Sequence, residues 1–248
     1  MNYERTSNPV FQDKYFNAAA ASEYQMTVSG TITKTSLLLM LTVLSAAFAW
    51  TRKYASLDDI ISKAILFSVL ALVCSLVTCF KPLIAKYTAP LYAVLEGLVL
   101  GSWSLLFEMK YHGIVIQATM FTFGVFGVML FIYRTGIIKV NEKFAIGLFA
   151  ATAGIAVVYL MSLLLRMFGV SGFQFLYSSS NFSIGFSVFV VIIAALNLVM
   201  DFDYIVKLSR SNVHRDMEWF AAFGLLVTLV WLYIEILRLL AKLSDRRH

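Results

Sequence analysis

Seven long apolar stretches, separated by short polar breaks, set the pattern of this chain. They run Thr31–Trp50, Ile60–Phe80, Tyr87–Phe107, Gly113–Tyr133, Phe144–Met167, Phe182–Ile205 and Trp219–Leu243, with each end placed to within a few residues. A membrane-crossing helix needs about 20 mostly apolar residues, so each stretch predicts a spanning helix. The apolar residues follow one another without alternating with polar ones, which excludes a β-barrel. The breaks are too short to fold alone. The pattern therefore predicts one all-α membrane domain over residues 31–243, built of neighbouring antiparallel hairpins. A polar N-terminal tail, 1–30, and a C-terminal tail, 244–248, flank it.

Composition agrees with this. Of 248 residues, 60% are apolar and 14% charged, against roughly 25% charged in an average soluble domain. The mean hydropathy is +0.81. No apolar leader core or cleavage site occurs in the first 30 residues. A secretory signal peptide is thus not expected, and the first span is expected to direct insertion. Lys and Arg placement sets the orientation. With the N-terminus in the cytoplasm, inner loops hold Lys81, Lys86, Arg134, Lys139, Lys143, Lys207, Arg210 and Arg215. Outer ones hold Arg52, Lys53, Lys63, Lys110 and Arg166. Eight against five favours a cytoplasmic N-terminus, with Lys242, Arg246 and Arg247 pulling the other way. The net charge of +6 then reads as a signal for topology and anionic lipid. No basic patch with a nucleic-acid-binding fold stands behind it.

Cys74 and Cys79 are five residues apart on one span, about 140° apart around a helix, so no disulfide is expected between them. His112, His214 and His248 fall in loops or at the end, without zinc-ligand spacing. Gly97 and Gly101 form a GxxxG on the third span. Gly147, Ala150, Ala151 and Gly154 line one side of the fifth. Both sets are expected to let helices approach closely.

Chemistry in such a chain starts from acids at membrane depth, each a candidate functional group because an unpaired carboxylate there is costly. Five qualify: Glu96, Asp201, Asp203, Glu218 and Glu235. Glu96 lies roughly 12 Å along its helix from Thr88. It either serves a site or bonds a Ser or Thr of a neighbouring helix. Asp201 and Asp203, two positions apart, point to opposite faces of the sixth helix. Lys207, four residues beyond Asp203, marks Asp203 as the interfacial residue and Asp201 as the interior one. Glu218 opens the last helix, where a negative charge suits the N-terminus in any case. Glu235 is deep in that helix, and Arg238 offers it an ion pair within the helix. Thr228 lies within about 20° of Glu235's face. Asp201, Thr228 and Glu235 can then form a polar line across the membrane, and the acids are expected to share an interior seam. Carboxylate and hydroxyl oxygens suit a hard cation such as calcium, with Asp201 as its ligand. A cation site made of carboxylates empties as they protonate, so it would respond to pH.

Four stretches carry a resemblance to a known family. They are Asn8-Pro-Val-Phe11, Leu95-Glu-Gly-Leu-Val-Leu-Gly101, Ala195-Leu-Asn-Leu-Val-Met-Asp-Phe-Asp-Tyr-Ile205 and the run Met217 to Leu240. With the seven spans, they make the chain resemble the bacterial branch of the Bax inhibitor/YccA-like membrane proteins over nearly its whole length. The resemblance implies a seven-helix bundle with the last helix central. It also implies a pH-sensitive calcium leak that uses one aspartate on the sixth helix and one on the seventh. The sixth-helix pattern, an Asp followed four residues later by Ile, is met by Asp201 and Ile205. Anchoring on Ile236-Leu-Arg-Leu-Leu240 places Thr228 where the second aspartate would stand, a departure from the family pattern. Glu218, Glu96 and Glu235 are the acids left to substitute for it. Some bacterial relatives are modulators or substrates of the membrane-bound protease FtsH, which implies a role as a regulatory partner.

Two functions follow: a proton-sensitive cation leak or transporter, and a regulatory protein acting on a membrane protease or another membrane partner. An enzyme is not expected. There is no His-Glu-x-x-His, no Gly-x-Gly-Asp and no Ser/His pair within the spans, and no cofactor motif. A retinal-binding bundle is also not expected, because Lys242 at the very end is the last span's only lysine. The expected setting is a bacterial inner membrane.

Overall fold

A computed structural model describes residues 25–52, 54–169, 176, 178–211 and 213–246. Most of the polar tail, including Asn8 to Phe11, lies outside the described residues, as do Lys53, Arg247 and His248. Seven helices in the described residues are long and apolar enough to cross a membrane. They are α1 (Val28–Thr51), α2 (Leu57–Phe80), α3 (Ala85–Lys110), α4 (Ile114–Thr135), α5 (Glu142–Met167), α6 (Asn181–Arg210) and α7 (Met217–Asp245). Every expected span falls within one of them, except that the fourth loses Gly113, which caps α4 instead of opening it. The sixth continues past its expected end at Ile205, because Lys207 and Arg210 sit favourably in its last turn. The protein is a multi-pass membrane protein, and the bilayer is its environment.

Local chemistry fixes the helix ends. Thr27, Ser56, Asn141 and Ser180 each accept a backbone N–H from the first turn of α1, α2, α5 and α6. Gly113 and Gly136 bracket α4 at φ of 80° and 69°, a conformation costly for any residue with a Cβ. Pro82 opens the short 3₁₀ turn Pro82–Ile84 that reverses the chain from α2 into α3.

The last helix is the axis of the bundle. α7 packs against α1, α3, α4 and α6, while α2 rests on α3 and α5 on α6. The main core runs along α7 through Leu225, Leu229, Leu232 and Ile236, with Ala194, Leu198 and Phe202 of α6 against it. A second core joins Leu38 of α1, Cys74 of α2 and Tyr92 of α3 to Phe223 and Leu226. The expectation of hairpin neighbours needs correction here. α1 packs chiefly on α3 and α7 rather than α2, and α4 on α6 and α7 rather than α5. The reason lies in surface shape. Any side chain at Gly97 would meet the Thr42 carbonyl and Ser45, and one at Gly101 would meet the Ala46 carbonyl and Ala49. α1 turns Thr31, Thr35 and Thr42 inward, because each hydroxyl is satisfied by a carbonyl of its own helix.

The small residues of α5 require a second correction. Gly147, Ala150 and Gly154 are exposed, and a Cβ at either glycine would meet nothing within 4 Å. α5 packs chiefly on α6, where Ala151 joins the contact, while Gly147, Ala150 and Gly154 seat no helix. The cysteines are both free: Cys74 donates to the Thr88 carbonyl at 3.2 Å, and Cys79 is exposed.

Candidate functional site

A polar column runs along α7 in steps of seven residues, about 10.5 Å each. Thr228, Glu235 and Lys242 occupy it, and each meets a polar group of another helix. Thr228 faces Asp201 of α6, while its hydroxyl also donates to the Gly224 carbonyl at 3.3 Å. Glu235, 1% exposed, accepts from the Tyr159 hydroxyl of α5 at 3.0 Å and from Arg238 at 3.2 Å. The buried Lys242 ammonium donates to Ser187 Oγ at 2.7 Å and to the Ser183 carbonyl at 3.4 Å. Beside the column, the Asn197 amide donates to Thr152 of α5 at 2.9 Å.

Asp201 is the incompletely satisfied member. It lies about 14 Å along α6 from Arg210. Its Oδ2 atom is buried with no hydrogen-bond partner, and the polar group facing it is Thr228. Asp203, on the opposite side, pairs with Lys207 at 2.6 Å at the bundle's edge. The helix period separates the two aspartates in this way, because a two-residue step turns the side chain through about 200°.

The remaining acids stand apart from the column, so the five do not share one seam. Glu96 is half-buried on α3 beside the Tyr92 hydroxyl one turn earlier, and Tyr92 packs edge-on against Phe223. Glu218 is not an ordinary surface charge at a helix start: it is fully buried. Its carboxylate accepts the Thr27 backbone N–H at 2.9 Å and the Thr27 hydroxyl at 3.0 Å, and it pairs with Lys34. Arg215 Nε lies 4.0 Å away. The segment before α1 is strapped to the turn between α6 and α7 as well, with Met26 N–H donating to the Val213 carbonyl at 2.9 Å. Met26 itself is 2% exposed, inside the core. Two helix N-termini and a lysine thus converge on one carboxylate, giving this buried acid its counter-charge and its donors.

Several of these partners carried a signal in the sequence. Lys34 is the single charge inside the first span, and a charge there needs a counter-ion. Tyr159 and Lys242 are polar tips in apolar runs. Glu108 is an acid just before the turn into α4. Its carboxylate accepts N–H groups from Gly113 at 2.5 Å and Val115 at 3.2 Å, which fixes the start of that helix. Tyr111, in that loop, gives its hydroxyl to Asp245, and burial with this bond pushes its phenol up from the ordinary value.

The chemical capacity of the column is limited and specific. Among the described residues, no three His, Cys, Asp or Glu side chains come together as a metal cage. Among the described residues, Asp201 Oδ2 and Ser183 Oγ are the buried side-chain oxygens without a hydrogen-bond partner, and of the two the carboxylate is the stronger ligand for a cation. Two hollows, of about 300 Å³ beside Val73 and Leu76 and about 270 Å³ between α5 and α6, lie on outer sides of the bundle and are not lined by Asp201.

Comparison with known proteins agrees with the architecture. A family model described as Bax inhibitor 1 like matches residues 8–245, nearly the whole chain. No curated protein matches it. The chain belongs to the Bax inhibitor 1 like family.

Proposed function

We propose that this Bax inhibitor 1 like protein is a proton-sensitive leak or transporter for cations, calcium foremost. Asp201 is its ion-facing carboxylate and Thr228 the hydroxyl opposite. The observation that carries the reading is the buried Asp201 Oδ2, without a hydrogen-bond partner, in a carboxyl group that meets Thr228 across the contact between α6 and α7. A carboxylate oxygen kept dry and unpaired costs several kcal/mol. A passing cation removes that cost, as does a proton. The two compete for one position, so cation flux falls as pH falls. Passage requires α6 and α7 to part, since Leu198 and Leu229 fill the space between them. Glu235 with Arg238 and Tyr159 forms the second polar station on the route. Glu96 and Glu218 act outside it. The bilayer is a bacterial inner membrane, with the N-terminus in the cytoplasm.

The test is reconstitution of purified protein in dye-loaded liposomes, with calcium, sodium and proton flux recorded at two pH values. Calcium entry that is absent at both rules out the reading.

A second reading rests on the strap. Glu218 and Val213 hold the segment from Gln25 to Thr27 at one face of the bundle, so the residues before it are delivered at a defined place. A regulatory protein that engages a membrane protease such as FtsH, or another membrane partner, would use that segment. Co-purification that survives deletion of residues 1–24 counts against it.

A further inference from the structure

We infer that the groove between α5 and α6 is a binding site for one anionic phospholipid. Its phosphate would lie at Lys143, and an acyl chain along the apolar floor below. The hollow of about 270 Å³ is lined by Lys143, Gly147, Leu148 and Ala151 of α5 and by Ile193 and Leu196 of α6. Its chemistry is two-part. One end carries a primary ammonium, and the rest is hydrocarbon.

Three observations point to that ligand. Lys143 is exposed, in the first turn of α5, and has no carboxylate partner among the described residues. A cation at a helix N-terminus faces the positive end of the helix dipole, so an anion there gains from both. Glu142 is in the same turn but about 100° around the helix. The groove also exists because of small residues: Gly147 is exposed, with nothing within 4 Å of where its Cβ would be. The stripe on α5 therefore hollows a surface rather than seating a helix, and its width suits a linear chain. Finally, α6 is the helix on which α5 chiefly packs, and Lys143 and Gly147 are exposed, so the groove between the two helices opens outward, toward lipid. A zwitterionic lipid would fill the apolar floor equally well. The lysine is what selects a net negative headgroup, worth about fivefold in occupancy for one charge at the interface.

Native mass spectrometry of the purified full chain tests this, with phosphatidylglycerol and phosphatidylcholine of identical acyl chains added in turn. Wild type retains phosphatidylglycerol in preference to phosphatidylcholine. Lys143→Gln lowers that preference about fivefold, while Lys139→Gln, in the loop before α5, leaves it unchanged. Gly147→Leu fills the floor at a position with open space and lowers retention of both lipids. Equal retention of the two lipids by wild type overturns the site. So does an unchanged preference in Lys143→Gln, or an equal loss in Lys139→Gln, which would assign the effect to the general charge of that face. None of these outcomes depends on ion flux, so the site and the proposed function fail separately.

Discussion

At Glu218 three donors from the α1 segment meet one carboxylate, whereas Asp201 keeps a buried oxygen with none. That contrast is why the proposed function rests on Asp201 and not on Glu218. Removing Glu218 leaves Lys34, whose side chain is 15% exposed, without its counter-ion. Glu218→Ala should therefore cost about 3–5 kcal/mol, read as a lowered melting temperature in detergent. Replacing both partners, Glu218→Leu with Lys34→Met, should recover most of that loss, because an apolar pair of similar size avoids the desolvation cost. Thr228→Asp puts a second carboxylate opposite Asp201. It should tighten calcium binding about tenfold at neutral pH, measured by titration, since affinity follows the charge of the ligand set. The sequence already told Asp201 from Asp203, because Lys207 marks which face is wet. It did not show Glu218's burial. A helix N-terminus explains an acid well enough by itself, and nothing local announces that α1 arrives from 190 residues away.

The same residue types do opposite things in α3 and α5. Gly97 and Gly101 are pressed against the α1 backbone, while Gly147 and Gly154 face open space. Gly101→Leu should force α1 away from α3 and sharply reduce the yield of folded protein, whereas Gly147→Leu should leave melting within about 0.5 kcal/mol of wild type. Size-exclusion profiles and thermal melts of the two variants check both outcomes. Seven helices were legible because twenty apolar residues in a row have few other uses. Which helix packs on which was not. Short linkers suggest sequential neighbours, but the Gly97–Gly101 ridge offers α1 a closer fit than α2 does, and fit decided the order.

For the whole molecule, α7 is the axis on which the other elements converge, and the polar column along it is the feature that an apolar bundle does not require. The proposed orientation, with the N-terminus in the cytoplasm, rests on the lysines and arginines of the α4–α5 and α6–α7 loops, such as Lys139, Lys143, Arg210 and Arg215. With the native cysteines replaced, a Lys139→Cys variant should react with a membrane-impermeant maleimide after cells are permeabilised and not before. Labelling of intact cells would invert the topology. The central claim is narrower and concerns one oxygen atom. Calcium flux into proteoliposomes, measured for wild type and Asp201→Asn side by side at neutral and acidic pH, tests it most directly. The account predicts wild-type flux that declines on acidification and a variant with little flux at either pH. Equal flux in the two proteins, with the same pH response, would contradict it.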